Sequence, residues 1–109
     1  MIHVSLKVVP TPARREEALR LVRSLLGPTS AAPGCIHCGF YTDAQNENTL
    51  CYVEYWQSEE ELERHIRSDD YRKFLALVDL SNQPPELKFQ RVSETFGMEY
   101  LSRVRSLTR

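Results

Sequence analysis

The segment between residues 53 and 65 constrains the fold more than any other part of the chain, because a strand pattern changes there directly into a helix pattern. The strand is predicted to end at Trp56. Ser58 and Glu61 then form a capping box, in which each side chain accepts a hydrogen bond from a backbone N–H at the helix start. A helix is therefore predicted to begin directly after the strand.

Four segments have the composition of strands, and each is a predicted β-strand; the first of them alternates apolar and polar residues with a period of two. They cover residues 2–8, 35–42, 49–56 and 86–92. Helical periods separate the first strand from the second and the third from the fourth. The first helix is predicted to end at Gly27-Pro28, and the second helical region to be interrupted at residues 68–70. The order β-α-β-β-α-β predicts an α+β ferredoxin-like unit with a four-stranded antiparallel sheet.

The predicted second strand carries apolar or aromatic side chains on both faces. One face is formed by Cys35, His37, Gly39 and Tyr41, and the other by Ile36, Cys38 and Phe40. Helices are expected to cover only one face of the sheet. Large exposed apolar patches are uncommon in monomers, so we expect a second subunit to cover the other face and form a homodimer.

The chain has 109 residues, a size typical of one domain. We predict a domain from residue 1 to 95 and a C-terminal extension from 96 to 109, in which Met98, Leu101 and Val104 indicate a short amphipathic helix. The formal net charge of −1 gives no basic surface for nucleic acid or for a membrane. The N-terminus lacks the features of a secretory signal, so we expect a cytoplasmic protein.

Three cysteines do not make an even disulfide set, and two of them, Cys35 and Cys38, have C-x-x-C spacing. A zinc site would need two further ligands at suitable spacing, which the sequence lacks. Residues three apart in a strand are expected to point to opposite faces. We therefore expect reduced, structural cysteines and no metal site.

Over about residues 1–93 the chain resembles the antibiotic biosynthesis monooxygenase (ABM) domain family. The resemblance is carried by the short N-terminal strand, by the turn at residues 33–35, and above all by the E-x-W-x-S run Glu54–Ser58 followed by Leu62 and His65. It implies that residues 1–95 form an ABM-like domain. It also implies a dimeric α/β barrel with a pocket in each subunit, between the helices and the sheet.

The family includes cofactor-independent oxygenases of polyketide aromatics and quinols, haem-degrading enzymes and a sugar-phosphate isomerase. Haem-degrading members carry tryptophan where this chain has His65, histidine near Leu75 and asparagine near Leu6. These departures disfavour haem degradation, whereas Trp56 and His65 match the quinol oxygenases and the isomerase more closely. The resemblance therefore implies an ABM-type monooxygenase that needs no cofactor and oxidises a small phenolic, quinol or polyketide-like substrate with dioxygen.

Three residues are the predicted catalytic set. His65 is the predicted general base, because neutral imidazole accepts protons near pH 7; the alternative is that it only fills the helix–sheet interface. Trp56 is predicted to form a wall of the substrate pocket, and its alternative is a packing role in the core. Glu54 is predicted to orient His65, and its alternative is a pair with a basic residue across the sheet or the dimer.

Leu6, Phe40, Tyr52 and Phe74 are the predicted substrate-binding residues. Two further functions stay open at this point. An isomerase of a small carbonyl compound would use the same base without dioxygen. A dimeric small-molecule-binding protein would have the pocket without turnover.

Overall fold

The computed structural model describes residues 1–107 and shows a four-stranded antiparallel sheet with helices packed on one face. The strands are β1 (Ile2–Val8), β2 (Cys35–Thr42), β3 (Leu50–Trp56) and β4 (Glu86–Arg91). The helices are α1 (Arg15–Ala31), α2 (Glu59–Ile66), α3 (Tyr71–Asp79) and α4 (Met98–Leu107), and a 3₁₀ turn (Pro12–Arg14) precedes α1. The sheet order is β2-β3-β1-β4. The predicted ferredoxin-like α+β fold is confirmed.

Alternation along β1 and β3 places the core between the sheet and the helices. On both strands every second residue is buried and its neighbours lie on the opposite, uncovered face. The main core joins these strands to α1 and α3 and includes Leu6, Val8, Val22, Leu25, Leu50, Tyr52, Phe74 and Leu77. A smaller cluster forms under α2 from Ile2, Val4, Trp56 and Leu62. The strand end at Trp56 therefore lies directly beneath α2.

The predicted start of α2 and the predicted break after it are both confirmed. The Ser58 hydroxyl accepts a hydrogen bond from the Glu61 N–H at 3.3 Å. At the other end, the Ser68 hydroxyl donates to the His65 carbonyl at 2.6 Å, and the Tyr71 N–H donates to the Ser68 carbonyl. These bonds satisfy the last groups of α2 and turn the chain into α3.

The predicted end of α1 at Gly27-Pro28 is wrong, because the helix continues through Pro28 to Ala31. A proline inside a helix removes its own N–H bond and crowds the carbonyl four residues earlier, and packing can outweigh that cost. Here Thr29, one residue further on, is fully buried. The chain turns at Gly34 instead, whose φ of 85° is the left-handed conformation that glycine adopts without strain.

A β-bulge at the start of β2 changes which side chains share a face. Cys35 pairs with Trp56, but the next paired residue is His37, opposite Tyr55, so Ile36 is the extra residue. Cys35 and Cys38 consequently lie on the same, helix-covered face. The prediction that these two cysteines point to opposite faces is wrong, and both are free thiols.

The C-terminal segment lies apart from the domain. Residues 93–106 are all exposed, and α4 occupies most of this segment. Residues 108 and 109 of the predicted extension lie outside the described residues. Within residues 1–107, no helix is long and apolar enough to cross a membrane.

Candidate functional site

Glu54 is the centre of a buried hydrogen-bond network on β3. Its side chain is only 1% exposed. One carboxylate oxygen accepts a hydrogen bond from the Tyr52 hydroxyl at 2.8 Å, and the other accepts one from the indole N–H of Trp56 at 2.9 Å. Residues 52, 54 and 56 share a face because of the two-residue strand period. The network extends to β2, since the thiol of Cys38 donates to the Tyr52 oxygen at 3.2 Å.

His65 joins this network from α2. It is 6% exposed, and its Nε2 atom lies 3.9 Å from a carboxylate oxygen of Glu54. The imidazole ring lies 4.8 Å from the Trp56 ring and meets Tyr71 edge-on at 5.6 Å. Nε2 has no hydrogen-bond partner within residues 1–107. The three residues of the predicted catalytic set are therefore in one place, whereas their catalytic roles stay predictions.

The negative charge of Glu54 and the dry surroundings keep the neighbouring phenols protonated. Burial, and then the Glu54 charge, raises the pKa of Tyr52 far above its ordinary value. The same two causes raise the pKa of Tyr71 to about 12. Burial also raises the pKa of the Cys38 thiol to about 11. The Tyr52 and Tyr71 hydroxyls and the Cys38 thiol therefore stay uncharged at physiological pH. Histidine is the residue type that is suited to accept a proton at that pH.

A groove of about 310 Å³ reaches His65 from the protein surface. The end of α1 and the following turn form one wall, which is apolar and consists of Pro28, Ala31, Ala32 and Pro33. The second wall belongs to α2 and the turn after it and is polar, with Glu61, Arg64, Ser68 and Asp70. His65 therefore stands between an open groove and the buried carboxylate.

The predicted substrate-binding residues lie deeper. Leu6, Tyr52 and Phe74 are buried in the main core, where the Tyr52 and Phe74 rings pack at 5.9 Å, and Phe40 is half-buried against them. None of the four lines the groove at His65. Their role in binding substrate stays a prediction, and it would require the core to open.

Several residues that line the groove at His65 were not predicted from the sequence. Ala31 and Ala32 could not be found, because α1 was predicted to end at Gly27-Pro28. Arg64 could have been predicted because it adjoins His65 in the sequence, and Asp70 because it directly precedes the next helix. Within the described part of the chain, no group of three or more His, Cys, Asp or Glu side chains has the geometry of a metal site.

Sequence comparison identifies relatives. The sequence profile described as antibiotic biosynthesis monooxygenase matches residues 1–77. An uncharacterized protein of Synechocystis sp. is 29% identical over 85 residues, which are 77% of this chain and 58% of that protein. The chain thus spans little more than half the length of this curated relative.

Solved structures of several proteins are also similar to this chain. A conserved protein from Methanosarcina mazei Go1 is 32% identical, with a TM-score of 0.76 over 83% of this chain and 90% of that one. Rv0793 from Mycobacterium tuberculosis is 22% identical, with a TM-score of 0.79 over 88% of this chain and 98% of that one. A structure described as an antibiotic biosynthesis monooxygenase is 18% identical, with a TM-score of 0.75 over 86% of this chain and all of that one (100%). The last two show a shared fold. The profile match covers well over half of the chain, and the chain therefore belongs to the antibiotic biosynthesis monooxygenase family.

Proposed function

We propose that this protein is a cofactor-independent monooxygenase that oxidises a small phenolic, quinol or polyketide-like substrate with dioxygen. The observation that carries the proposal is the buried, unpartnered Nε2 atom of His65, which lies 3.9 Å from the Glu54 carboxylate on a residue that lines the groove. A basic nitrogen that is held nearly dry and without a partner is suited to take a proton from a bound hydroxyl group.

In the proposed reaction, His65 removes a proton from the substrate hydroxyl and becomes imidazolium. Glu54, 3.9 Å away, favours this charged form by direct attraction in a medium of low polarity. The resulting phenolate or enolate is electron-rich and passes an electron to dioxygen. Where the substrate carries an activated CH₂ group, the substrate radical and superoxide combine through a C–O bond, and the imidazolium of His65 returns its proton to give a hydroperoxide. The O–O bond then breaks with loss of the remaining C–H proton, so that one oxygen atom becomes a carbonyl and the other leaves as water. The substrate then supplies all the electrons.

We propose that Trp56 positions other residues and does not itself form a wall of the groove. Its side chain is fully buried and contacts the His65 ring, and it donates to Glu54. We therefore assign it to positioning: it holds the carboxylate and the imidazole in place. A stacked substrate would contact Trp56 only after His65 had moved.

The homodimer is also part of the proposal. The uncovered sheet face carries an aromatic group in which His3 stacks on Tyr55 at 4.0 Å and His37 lies 5.1 Å from Tyr55. A second copy that covers this face would form the expected dimeric α/β barrel. Light scattering at micromolar concentration tests it, and a monomeric mass would refute it.

The function is tested by oxygen consumption of metal-free protein with a panel of hydroquinones and hydroxylated polycyclic aromatics. His65→Gln keeps a similar volume but cannot act as a base, so it should lose oxygen uptake. Arg67→Gln is the matched control, because Arg67 is exposed on the same helix end and lies outside the groove. Uptake that survives His65→Gln would refute the proposed base.

Absence of oxygen consumption by the native protein would refute the proposed oxygenase function. Conversion of a carbonyl substrate without oxygen would then identify an isomerase. Ligand-induced thermal shifts without any conversion would identify a binding protein. The same His65→Gln and Arg67→Gln pair separates a role at the groove from a general loss of folding in each case.

A further inference from the structure

Helix α4 is an exposed arm at the end of the described chain. It has ten residues, and helices shorter than about 12–15 residues are marginal in water by themselves. The Cα radius of gyration is 16.4 Å, compared with about 13 Å for a compact domain of this length. The arm projects from the domain and needs a packing surface to stabilise it.

The arm carries an apolar stripe with arginines on both sides. Tyr100, Leu101 and Val104 are exposed and fall within about 100° of one another around the helix axis. Arg103 borders the stripe and lies over the Tyr100 ring at 5.3 Å, and Arg105 borders the other edge. The opposite side of the helix is formed by Glu99, Ser102 and Ser106. This pattern is typical of a helix that docks one face.

A groove between α2 and β4 has the complementary character. It measures about 360 Å³ and has Ile2, Leu62 and Phe89 as apolar lining. Glu59 and Glu63 supply acidic groups from α2, and Arg91 of β4, which also lines the groove, pairs with Glu59, so that Glu63 is the acidic group not engaged by the groove itself. Phe89 is 48% exposed although it lies on the helix-facing side of β4, opposite Val4. The helices of this chain therefore leave the apolar edge of the core uncovered here.

We propose that the apolar stripe of α4 docks in the α2–β4 groove of a second copy of this chain. Apolar side chains then meet apolar lining, and Arg103 faces Glu63 of α2. The connection 92–97 starts at the groove of its own domain, yet it carries α4 away from that groove. Reciprocal exchange of two arms fills both grooves and covers both stripes, which gives a closed, two-fold interface.

Photo-crosslinking locates the docking site. Benzoylphenylalanine is placed at Tyr100, and ¹⁴N-labelled and ¹⁵N-labelled proteins are mixed, refolded together and irradiated. The expected products are mixed-isotope crosslinks to peptides of α2 or β4. Three outcomes would overturn the proposal: crosslinks within one chain only, crosslinks between two α4 helices, or crosslinks to the uncovered sheet face.

Self-association measured by sedimentation velocity tests the chemistry of the contact. Val104→Asp places a charge in the stripe and should weaken association at least tenfold, whereas Ser102→Asp places the same charge on the opposite side and should leave it unchanged. Both positions are exposed, so neither variant disturbs the core. Equal association of the two variants would refute docking through the stripe.

A charge exchange adds a second readout. Arg103→Glu and Glu63→Arg should each weaken association, and the double variant should recover most of it. Glu63 is exposed and its ion pair with Arg67 is long, at 3.9 Å, so the domain tolerates the change. Additive weakening in the double variant would show that these two charges do not meet.

Discussion

Replacing Glu54 tests whether the buried network holds the site together. Both carboxylate oxygens accept a hydrogen bond from a buried donor, the Tyr52 hydroxyl and the Trp56 indole N–H. Glu54→Leu keeps a similar volume but leaves both donors unsatisfied. Each orphaned donor costs about 1–3 kcal/mol, so the expected loss is about 2–6 kcal/mol. A loss of that size is a large part of the total stability of a small domain.

Glu54→Gln should be milder. Its amide oxygen can still accept from Trp56, and the Tyr52 hydroxyl can rotate to accept from the amide NH₂ group. Two hydrogen bonds to a charged group are then replaced by two neutral ones, which lowers stability by about 1–3 kcal/mol. The order of stability is therefore expected to be native, then Glu54→Gln, then Glu54→Leu.

Urea unfolding followed by the fluorescence of Trp56, the single tryptophan, measures these differences. A double-mutant cycle with Tyr52→Phe separates the hydrogen bond from other effects. In the Glu54→Leu protein the Tyr52 hydroxyl has already lost its acceptor, so removing it should cost less than in the native protein by about 1–3 kcal/mol. A fully additive cycle, or a Glu54→Leu protein as stable as the native one, would refute the reasoning.

Three further predictions concern stability. Gly34→Ala should destabilise by about 1–3 kcal/mol in thermal unfolding, because a left-handed φ is unfavourable for alanine and the new Cβ meets the Glu61 side chain. Pro28→Ala should stabilise by about 1–3 kcal/mol in urea unfolding, because it restores a backbone donor inside α1. Burial raises the pKa of Cys38 from 9.0 to about 11 and that of Tyr71 from 10.0 to about 12. Between these pKa values the folded state binds more protons than the unfolded state, so stability should fall as the pH rises from 9 to 12, and less steeply in a Cys38→Ser, Tyr71→Phe protein.

Local periodicity was sufficient to predict the order of elements. Residues a few positions apart determine each strand face and each helix stripe. The capping residue Ser58 likewise marks the start of α2 without any contact to the rest of the chain. The shared face of Glu54 and Trp56 follows from the same local rule. These are features that the chain specifies before it packs.

The misplaced features depend on contacts between distant segments. The bulge at Ile36 is set by how β2 aligns with Tyr55 and Trp56, and period-two alternation cannot contain an extra residue. The continuation of α1 past Pro28 depends on the burial of Thr29, where tertiary packing overrides a local stop signal. Both errors affect the site, because the end of α1 forms one wall of the groove at His65 and the bulge brings Cys35 against the cluster that contains Trp56.

The geometry of Glu54 gives His65 a different environment from that of a directly bonded histidine–carboxylate pair. Tyr52 and Trp56 occupy one lone pair on each oxygen of Glu54, and His65 Nε2 lies at 3.9 Å, beyond an ordinary N–H···O distance. Both oxygens of Glu54 therefore already serve as acceptors for donors other than His65. A directly bonded pair would engage Nε2, whereas here this atom has no hydrogen-bond partner in the described chain. In the proposed reaction, His65 takes a proton from a substrate hydroxyl, and the imidazolium forms 3.9 Å from the Glu54 carboxylate.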